Sequence, residues 1–254
     1  MTYESTPGAK SPGYLLSGQS VLIGAPGVTG FGTDVFDVRE IERDLANEII
    51  TREHYSHKIV NTSYVHLGLV IEGELMGVLQ FGYAMNPASG ATIVPGTGNR
   101  DYLELNRMWL DDRAPRNSES RAIGYAVKFI RRAYPRVRWL QSFADERCGL
   151  FGTVYQAAGF KFYGEHVSTF WELDGEVFHN IIMTDTSRRQ SVKARHLIDN
   201  RHRAKQLVLR QFRYLRFMQP RFARRCTLRE QPFPKPDHAT RLERQPGSPP
   251  GSEV

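Results

Sequence analysis

The amino-acid sequence predicts an α/β fold, with a mixed β-sheet flanked by helices and a basic helical extension toward the C-terminus. Strand-like and helix-like apolar patterns alternate between residues 37 and 186. A strand–helix–strand unit near the middle implies a right-handed crossover between parallel strands. We divide the 254 residues into an irregular arm (1–36), an α/β domain (37–186), a basic helical extension (187–230) and a Pro-rich disordered tail (231–254).

The first helix and a hairpin open the domain. Apolar side chains recur at helical spacing from residue 37 to the sequence HYSH at 54–57, at Val38, Ile41, Leu45 and Ile49. Two runs rich in Val, Leu and Ile follow, at 63–72 and 74–83, and the turn at Gly73 between them predicts an antiparallel hairpin.

The parallel part of the sheet is predicted from the next segments. They are a strand at 102–110, an amphipathic helix within 115–134, a strand at 137–145, a short helix at 149–159, and final strands in KFYGE and STFWELD. We therefore expect a sheet that is antiparallel at first and parallel in the middle.

Composition limits the class of protein. The chain is 40% hydrophobic and 24% charged, which is ordinary for a globular protein, and contains no apolar run near the roughly 20 residues that span a bilayer. The start of the sequence lacks the layout of a signal peptide, so we expect a cytoplasmic protein without a membrane partner. Cys148 and Cys226 have neither zinc-site spacing nor the number for a disulfide framework.

Positive charge is concentrated in one segment. Residues 187–229 hold fourteen Lys or Arg against one acid, a net charge of +13 in a chain whose total is +7. Such a block favours binding to a nucleic-acid backbone, although a solvated basic face or an anionic-membrane patch has the same composition. The candidate DNA-binding residues are Arg201, Arg203, Lys205, Arg210, Arg213 and Arg216.

Two titratable side chains follow predicted elements and are candidates for catalysis. Histidine titrates near neutrality, so His54 is a candidate general base; it is equally a helix-end histidine facing the helix dipole. Asp145 closes a predicted strand, where it can orient the histidine, bind a metal together with it, or cap the next helix. Ligands of open parallel sheets bind at such strand ends, so we expect one shared crevice.

The strand at 102–110 carries a further candidate. Simple alternation places Glu104, Asn106 and Met108 on one face and Arg107 on the other, among apolar neighbours. An arginine in such a setting has an anionic partner, which is either a structural carboxylate or a substrate phosphate.

The helix start in PRNSESRAIGYAVKFIRRAY lacks a glycine-rich turn. Its polar residues are expected to cap the exposed N–H groups, and a helix N-terminus also attracts anions. The candidate cosubstrate-binding residues here are Arg116, Asn117, Ser118 and Ser120.

Several motifs resemble known families. VYQAAGFKFYGE is similar to the segment near the end of the GNAT acyltransferase fold in which a tyrosine protonates a leaving thiolate; without it, Tyr155 is a packed core tyrosine. REHYSHKIV, LELNRMWLDDRAPRNSES, SFADERCGLFGTVYQAAGFKFYGE and REQPFPKP resemble the Mom family of phage DNA adenine modification proteins over residues 37–236. The resemblance implies a GNAT-like mixed sheet.

The resemblance also implies a function. It is conversion of adenine in double-stranded DNA to N6-(carbamoylmethyl)adenine, which protects phage DNA from host restriction in the host cytoplasm. His54 and Asp145 are then candidate bases or metal ligands, with iron or another divalent metal, and Tyr155 a general acid or radical-competent phenol. Arg107 and Ser120 are candidate cosubstrate or DNA contacts. The donor is a glycine-derived unit on coenzyme A or an aminoacyl-tRNA, so an acyl carrier or tRNA is a possible partner.

Two other readings fit the same residues. One is a conventional GNAT N-acyltransferase that uses acyl-CoA on a small-molecule or protein amine. The other is a non-catalytic DNA-binding protein on the same scaffold. Both leave part of the sequence without a role, because the first has no use for the basic segment and the second has none for His54, Asp145 and Tyr155.

Overall fold

A nine-stranded mixed sheet forms the centre of the computed structural model, which describes residues 29–146, 151–184 and 191–235. Its strands are β1 (Gly30–Thr33), β2 (Phe36–Glu40), β3 (Ser63–Ile71), β4 (Glu74–Gly82), β5 (Tyr102–Leu110), β6 (Trp139–Asp145), β7 (Lys161–Leu173), β8 (Glu176–His179) and β9 (Lys205–Phe217). The helices are α1 (Arg43–Glu53), α2 (Ser89–Ile93), α3 (Ser118–Ala133), α4 (Thr153–Ala157), α5 (Ile181–Thr184), α6 (Val192–Asp199) and α7 (Pro220–Ala223).

The strand order is β1-β2-β3-β4-β5-β6-β9-β7-β8, and every neighbouring pair is antiparallel except β5 with β6. The predicted mixed sheet, antiparallel at first and parallel in the middle, is therefore confirmed. Helix α3 supplies the crossover between the two parallel strands, as a strand–helix–strand unit requires.

Helices cover both faces of the sheet. On one face, which we call the α3 face, α3 packs its buried Ile123, Val127 and Ile130 into the largest core cluster. On the other, the α1 face, α1 buries Ile49 and Ile50 against Val78 of β4. Of the described helices, none is both long and apolar enough to cross a bilayer.

Two hairpins use the same turn chemistry. The β3–β4 turn has both central residues at positive φ, with Glu72 at 51° and Gly73 at 85°. The β7–β8 turn repeats this with Asp174 at 51° and Gly175 at 78°. Two consecutive left-handed residues twist in the sense that flanking strands require, which fixes the register of each pair.

The start of the first helix was predicted too early. Residues 36–40 form β2, in which Phe36 and Val38 are buried on the α3 face, and α1 begins only at Arg43. The apolar spacing continued across a strand–helix boundary, which made the two elements look like one. The predicted arm therefore contains β1 and the start of β2, while residues 1–28 lie outside the described residues.

The basic helical extension is wrong in its main part. Among its described residues, α6, a short 3-10 turn at Arg201–Arg203 and the four-residue α7 are helical, whereas the thirteen residues Lys205–Phe217 form β9, which is hydrogen-bonded to β6 on one side and to β7 on the other. The segment is part of the sheet because its aromatic and apolar residues alternate, burying Phe212 and Tyr214 on the α3 face and Leu215 on the other.

The predicted tail begins beside the sheet. Gln231 bridges to Phe162 of β7 by backbone hydrogen bonding, and Lys161 approaches Glu230 at 3.4 Å. The prediction of disorder concerns mainly residues 236–254, which lie outside the described part of the chain.

Candidate functional site: an opening between β5 and β6

The two parallel strands separate after a short paired stretch. Tyr102–Glu104 of β5 pair with Trp139–Gln141 of β6, and beyond this stretch no pairing joins the described residues of the two strands. Each strand continues on its other edge, β5 with β4 and β6 with β9. The sheet therefore opens at the carboxyl ends of β5 and β6, where ligands of parallel strands bind.

A β-bulge in β5 changes which side chains face each other. Phe81 of β4 pairs with Leu105 and the next residue, Gln80, pairs with Arg107, so Asn106 is the extra residue. A bulge reverses the alternation that follows it. The predicted faces are therefore wrong beyond Leu105: Met108 packs in the core of the α3 face, and Arg107 joins Glu104 on the α1 face.

Glu104 is the centre of a buried polar group on the α1 face. Its Oε2 accepts a hydrogen bond of 2.7 Å from Gln141 Nε2, and Asn106 Nδ2 lies 3.5 Å from its Oε1. Burial raises the pKa of the Glu104 carboxyl, which these hydrogen bonds and the nearby guanidinium of Arg107 only partly offset. A buried carboxyl with fixed hydrogen bonds either transfers a proton in the reaction or holds its neighbours in position.

Two backbone carbonyl groups hold the guanidinium of Arg107. Its Nε donates to the carbonyl of Lys58 at 3.0 Å, and its Nη1 donates to the carbonyl of Asn106 at 2.7 Å. These contacts tie the segment after α1 to β5. The guanidinium is thereby brought toward both Glu104 and His54. Its positive charge helps to lower the pKa of His54 and offsets part of the rise that burial causes in the pKa of Glu104.

His54 lies at the end of α1 and is only 6% exposed. Its Nδ1 accepts a hydrogen bond from the backbone N–H of Ser56 at 3.1 Å and lies 2.8 Å from the Ser56 hydroxyl. Burial, followed by the charges of Arg107 and His57, lowers the pKa of His54 to about 4. The ring is therefore neutral at pH 7, and because Nδ1 accepts, its proton is on Nε2.

Asp145 and Tyr155 border the opening from different elements. Asp145 ends β6, is 9% exposed, and lies opposite Gln211 of β9. Tyr155 is half-buried on α4, with its ring 5.5 Å from that of Tyr214 and packed against the core of the α3 face. Strand alternation places Asp145 with Gln141 on the α1 face, so His54 and Tyr155 approach the opening from opposite sides of the sheet.

The residues at the start of α3 do come together. Arg116, Asn117, Ser118 and Ser120 all line one cavity of about 370 Å³, which we call the α3 cavity. The tips of two hairpins and α4 complete it, through Val35, Phe36, Ile71, Glu72 and Ala157. Arg107 is not among its lining residues, because it lies on the α1 face.

The polar side chains do not cap α3 as predicted. Asn117 has a left-handed backbone, φ 66°, and its side chain makes no capping hydrogen bond. Ser120 Oγ donates to the Asn117 carbonyl at 3.2 Å rather than accepting from an N–H group. Ser118 is 2% exposed. The first turn therefore presents its positive end toward the α3 cavity without a side-chain cap from Asn117.

The six candidate DNA-binding residues do not form one surface. In a strand, side chains three apart alternate between faces, so Arg210 and Arg216 point to the α3 face and Arg213 to the other. Arg210 pairs with Glu146 at 2.8 Å, and Arg203 with Asp174 at 2.9 Å. The exposed members are Arg203, Lys205 and Arg201. The guanidinium of Arg201 stacks on Trp171.

The described residues do not fit the metal site that the resemblance implies. Among them, no three His, Cys, Asp or Glu side chains lie close enough together to hold a metal ion. The guanidinium of Arg107 and, to a smaller extent, the charge of His57 act on His54, and a cation repels a divalent metal. We assign no chemical step to a metal.

Sequence reasoning missed three side chains at the opening. Gln141, Phe143 and His166 share the α1 face with Glu104, and the ring of Phe143 lies 5.2 Å from that of His166. A buried glutamine within the apolar strand WLQSFAD is the feature that draws attention to this group. Its neighbours come from β7 and β9, which only the folded chain brings together.

Comparison with solved structures finds acetyltransferases of low identity. Arabidopsis thaliana NAA60 in complex with acetyl-CoA is 10% identical with a TM-score of 0.46, covering 72% of this chain and 100% of its own. The ribosomal-protein-S5-alanine acetyltransferase of Vibrio fischeri is 11% identical with a TM-score of 0.43, covering 74% and 96%.

Sequence comparison gives a closer match. The methylcarbamoylase mom of Escherichia phage Mu is 50% identical over 211 residues, which are 82% of this chain and 87% of that protein. The model of the Mom protein family matches residues 35–235, a span that includes the opening, the α3 cavity and β9. The chain therefore belongs to the Mom protein family.

Proposed function

We propose that the protein is a methylcarbamoylase that converts adenine in DNA to N6-(carbamoylmethyl)adenine and so protects phage DNA from restriction. Membership of the Mom family and the 50% identical methylcarbamoylase support the reaction class. The observation that carries the proposal is the opening between β5 and β6, with the buried group around Glu104 beside it on the α1 face, while the α3 cavity lies on the α3 side of the sheet. We propose that two substrates meet at the opening from opposite sides of the sheet.

The α3 cavity is proposed to hold the donor. Arg116 supplies a positive side chain, and the start of α3 supplies positive dipole. Both attract a phosphate group, which coenzyme A and an aminoacyl-tRNA each provide. A volume of about 370 Å³ accommodates the part of such a donor that lies next to its phosphates.

The acceptor enters from the α1 face. The amino group at adenine N6 lies inside the base stack of duplex DNA, so the base must leave the stack at a cost of a few kcal/mol. Of the predicted DNA contacts, Arg201 and Lys205 are exposed and suited to hold the phosphate backbone; strand alternation places Lys205 on the α1 face, whereas Arg201 stacks on Trp171 of the opposite face. We keep Arg203 as a third contact whose charge is shared with Asp174. Arg210, Arg213 and Arg216 are partly buried in the sheet and are not proposed as backbone contacts.

The reaction joins N6 to a CH2 carbon, which ordinary acyl transfer does not do. In a glycyl ester or thioester the leaving group is on the carbonyl carbon, so the glycine nitrogen must move from the CH2 carbon to the carbonyl carbon to form the carboxamide. The acyl C–O or C–S bond breaks with its electron pair on the leaving group, the N6 lone pair bonds to the CH2 carbon that the nitrogen leaves, and N6 loses one proton. Asp145, on the α1 face at the opening, is proposed to take that proton. Tyr155, on the donor side, is proposed to protonate the leaving group. His54, neutral with its proton on Nε2, is placed to donate a hydrogen bond.

Mass spectrometry of nucleosides tests the proposal. DNA from cells that express the chain should contain N6-(carbamoylmethyl)adenine, and Tyr155→Phe should abolish it while the purified variant still binds DNA. Unmodified adenine in cells that contain folded, DNA-bound protein would refute the proposed reaction. Turnover of acyl-CoA on an amine outside DNA would instead support the conventional acyltransferase.

A further inference from the structure

Gln141 lies where β5 and β6 separate. It forms the last pair of the two strands with Glu104, and the donation from Gln141 Nε2 to the Glu104 carboxylate fixes the orientation of its amide. The amide oxygen, Oε1, then points away from Glu104. It is buried and has no hydrogen-bond partner among the described residues, although Gln141 is only 3% exposed.

A buried donor lies beside this acceptor. Arg213 of β9 is the pairing partner of Phe143, so it is a diagonal neighbour of Gln141 on the α1 face. Its Nε is also buried without a partner in the part of the chain that the structure describes. Leaving a buried polar atom unpaired is costly, so two of opposite kind on neighbouring strands indicate a ligand that pairs with both.

An aromatic ring lies next to both residues. Phe143 is the one residue of β6 that is only partly buried, and the guanidinium of Arg213 lies 5.3 Å from its ring centre. His166 contacts the same ring edge-on at 5.2 Å. A partly open aromatic ring flanked by unpaired polar atoms is suited to a flat ligand that stacks and hydrogen-bonds at its edge.

We propose that Gln141, Phe143 and Arg213 form a subsite for the flipped adenine base, with Gln141 Oε1 accepting from N6–H and Arg213 donating to a ring nitrogen. The inference rests on the proposed function and names how the acceptor is recognised. Adenine presents an N–H donor beside a nitrogen acceptor, whereas guanine and thymine present a carbonyl oxygen at the corresponding position. The Gln141 oxygen therefore selects against both.

The subsite also places N6 for reaction. Asp145 follows Gln141 by four residues on the same face of β6, which is about 13 Å along a strand. N6 carries two hydrogens, and Gln141 holds only one of them. After the C–N bond forms, the secondary amine still has one N–H for Gln141. The residue is thus a positioning and specificity residue that keeps its contact through the reaction.

The test is binding of the full-length protein to short thymine oligonucleotides at one salt concentration. One oligonucleotide carries a single central adenine, a second carries purine, which lacks the 6-amino group, and a third carries guanine. The protein should bind the adenine strand about fivefold more tightly than the other two, the effect of one hydrogen bond. This measurement needs no variant.

Gln141→Met keeps the length of the side chain and removes the acceptor. It should bind the adenine and purine strands equally, while Gln206→Met, the same change at an exposed position of β9, should keep the preference. A wild-type protein that binds the adenine and purine strands equally overturns the subsite, even where cellular DNA is modified. Cellular DNA without modified adenine overturns the proposed function instead, so the two failures are distinguishable.

Discussion

Polar groups on the two sides of the opening between β5 and β6 differ in their exposure to water. In the α3 cavity, Arg116 is exposed and the helix end is uncapped by Asn117, so charged groups meet water. On the α1 face, burial raises the pKa of Glu104 and lowers that of Arg213, because each loses hydration of its charged form. A hydrated cationic cavity suits a mobile anionic donor, and a buried group with fixed geometry suits a neutral base.

Among the substitutions that test this comparison, Asp145→Ala should cause the largest loss of modified adenine. Removing the proposed proton acceptor from the α1 side should lower modified adenine in cellular DNA by roughly 100-fold or more. Nucleoside mass spectrometry provides the measurement. Asp111→Ala, which removes an exposed ion pair with Arg113, is the control and should leave modification unchanged. Equal levels in the two variants would remove Asp145 from the reaction.

Acid should weaken the α1 side through His54. The pKa of this residue is about 4 in the folded protein and 6.5 in the unfolded chain, so the unfolded chain binds the extra proton between these values. Stability is therefore full above pH 6.5 and falls as the pH drops toward 4. After a discount for solvent screening, the loss is about 2 kcal/mol.

Urea unfolding at pH 7 and pH 4.5 measures this loss. His54→Asn keeps an acceptor for the Ser56 N–H and should reduce the pH dependence. His57→Asn is the control, since Asn tolerates the positive φ of 47° at that position. A pH dependence that persists in His54→Asn and disappears in His57→Asn would contradict the assignment.

Filling the α3 cavity should block the donor side alone. Ala157 lines the cavity, and Ala157→Trp should reduce modified adenine about tenfold while DNA binding is retained. Ala91→Trp places the same side chain on exposed α2, outside the cavity, and should have no effect. Loss of DNA binding in Ala157→Trp would instead place DNA in the cavity.

The smallest effect is expected for Arg116→Ala. An exposed arginine attracts an anion only weakly in water, so modification should fall by about fivefold at most, and less at high salt in a purified assay. Arg113→Ala, whose charge is exposed but pairs with Glu74 and Asp111, is the matched control. A larger loss than for Ala157→Trp would mean that Arg116 contacts the reacting groups.

Local patterns made part of this structure predictable. The β3–β4 hairpin, β5, α3 and β6 were predicted within a few residues, because their apolar periodicity and turn residues are near each other in sequence. The gathering of Arg116 to Ser120 on one cavity also followed from their position at a helix start.

The remainder depended on distant contacts. The arginines of β9 are spaced by three, which imitates one face of a helix, and the strand pairs with segments about 30 to 80 residues earlier. A single extra residue at Asn106 reversed the faces of β5. The unpaired atoms of Gln141 and Arg213 exist only once β6 and β9 are adjacent.

The position of β9 in the sheet has a consequence for how the protein is made. The strand is the last one described in the chain, yet it is inserted between β6 and β7, which are synthesised earlier. During translation, the edge of β6 stays open until residues 205–217 leave the ribosome, and long-range pairing of this kind is slow. Arg213 thus leaves the ribosome well after Gln141 and Phe143, so the acceptor side is incomplete until β9 has been synthesised.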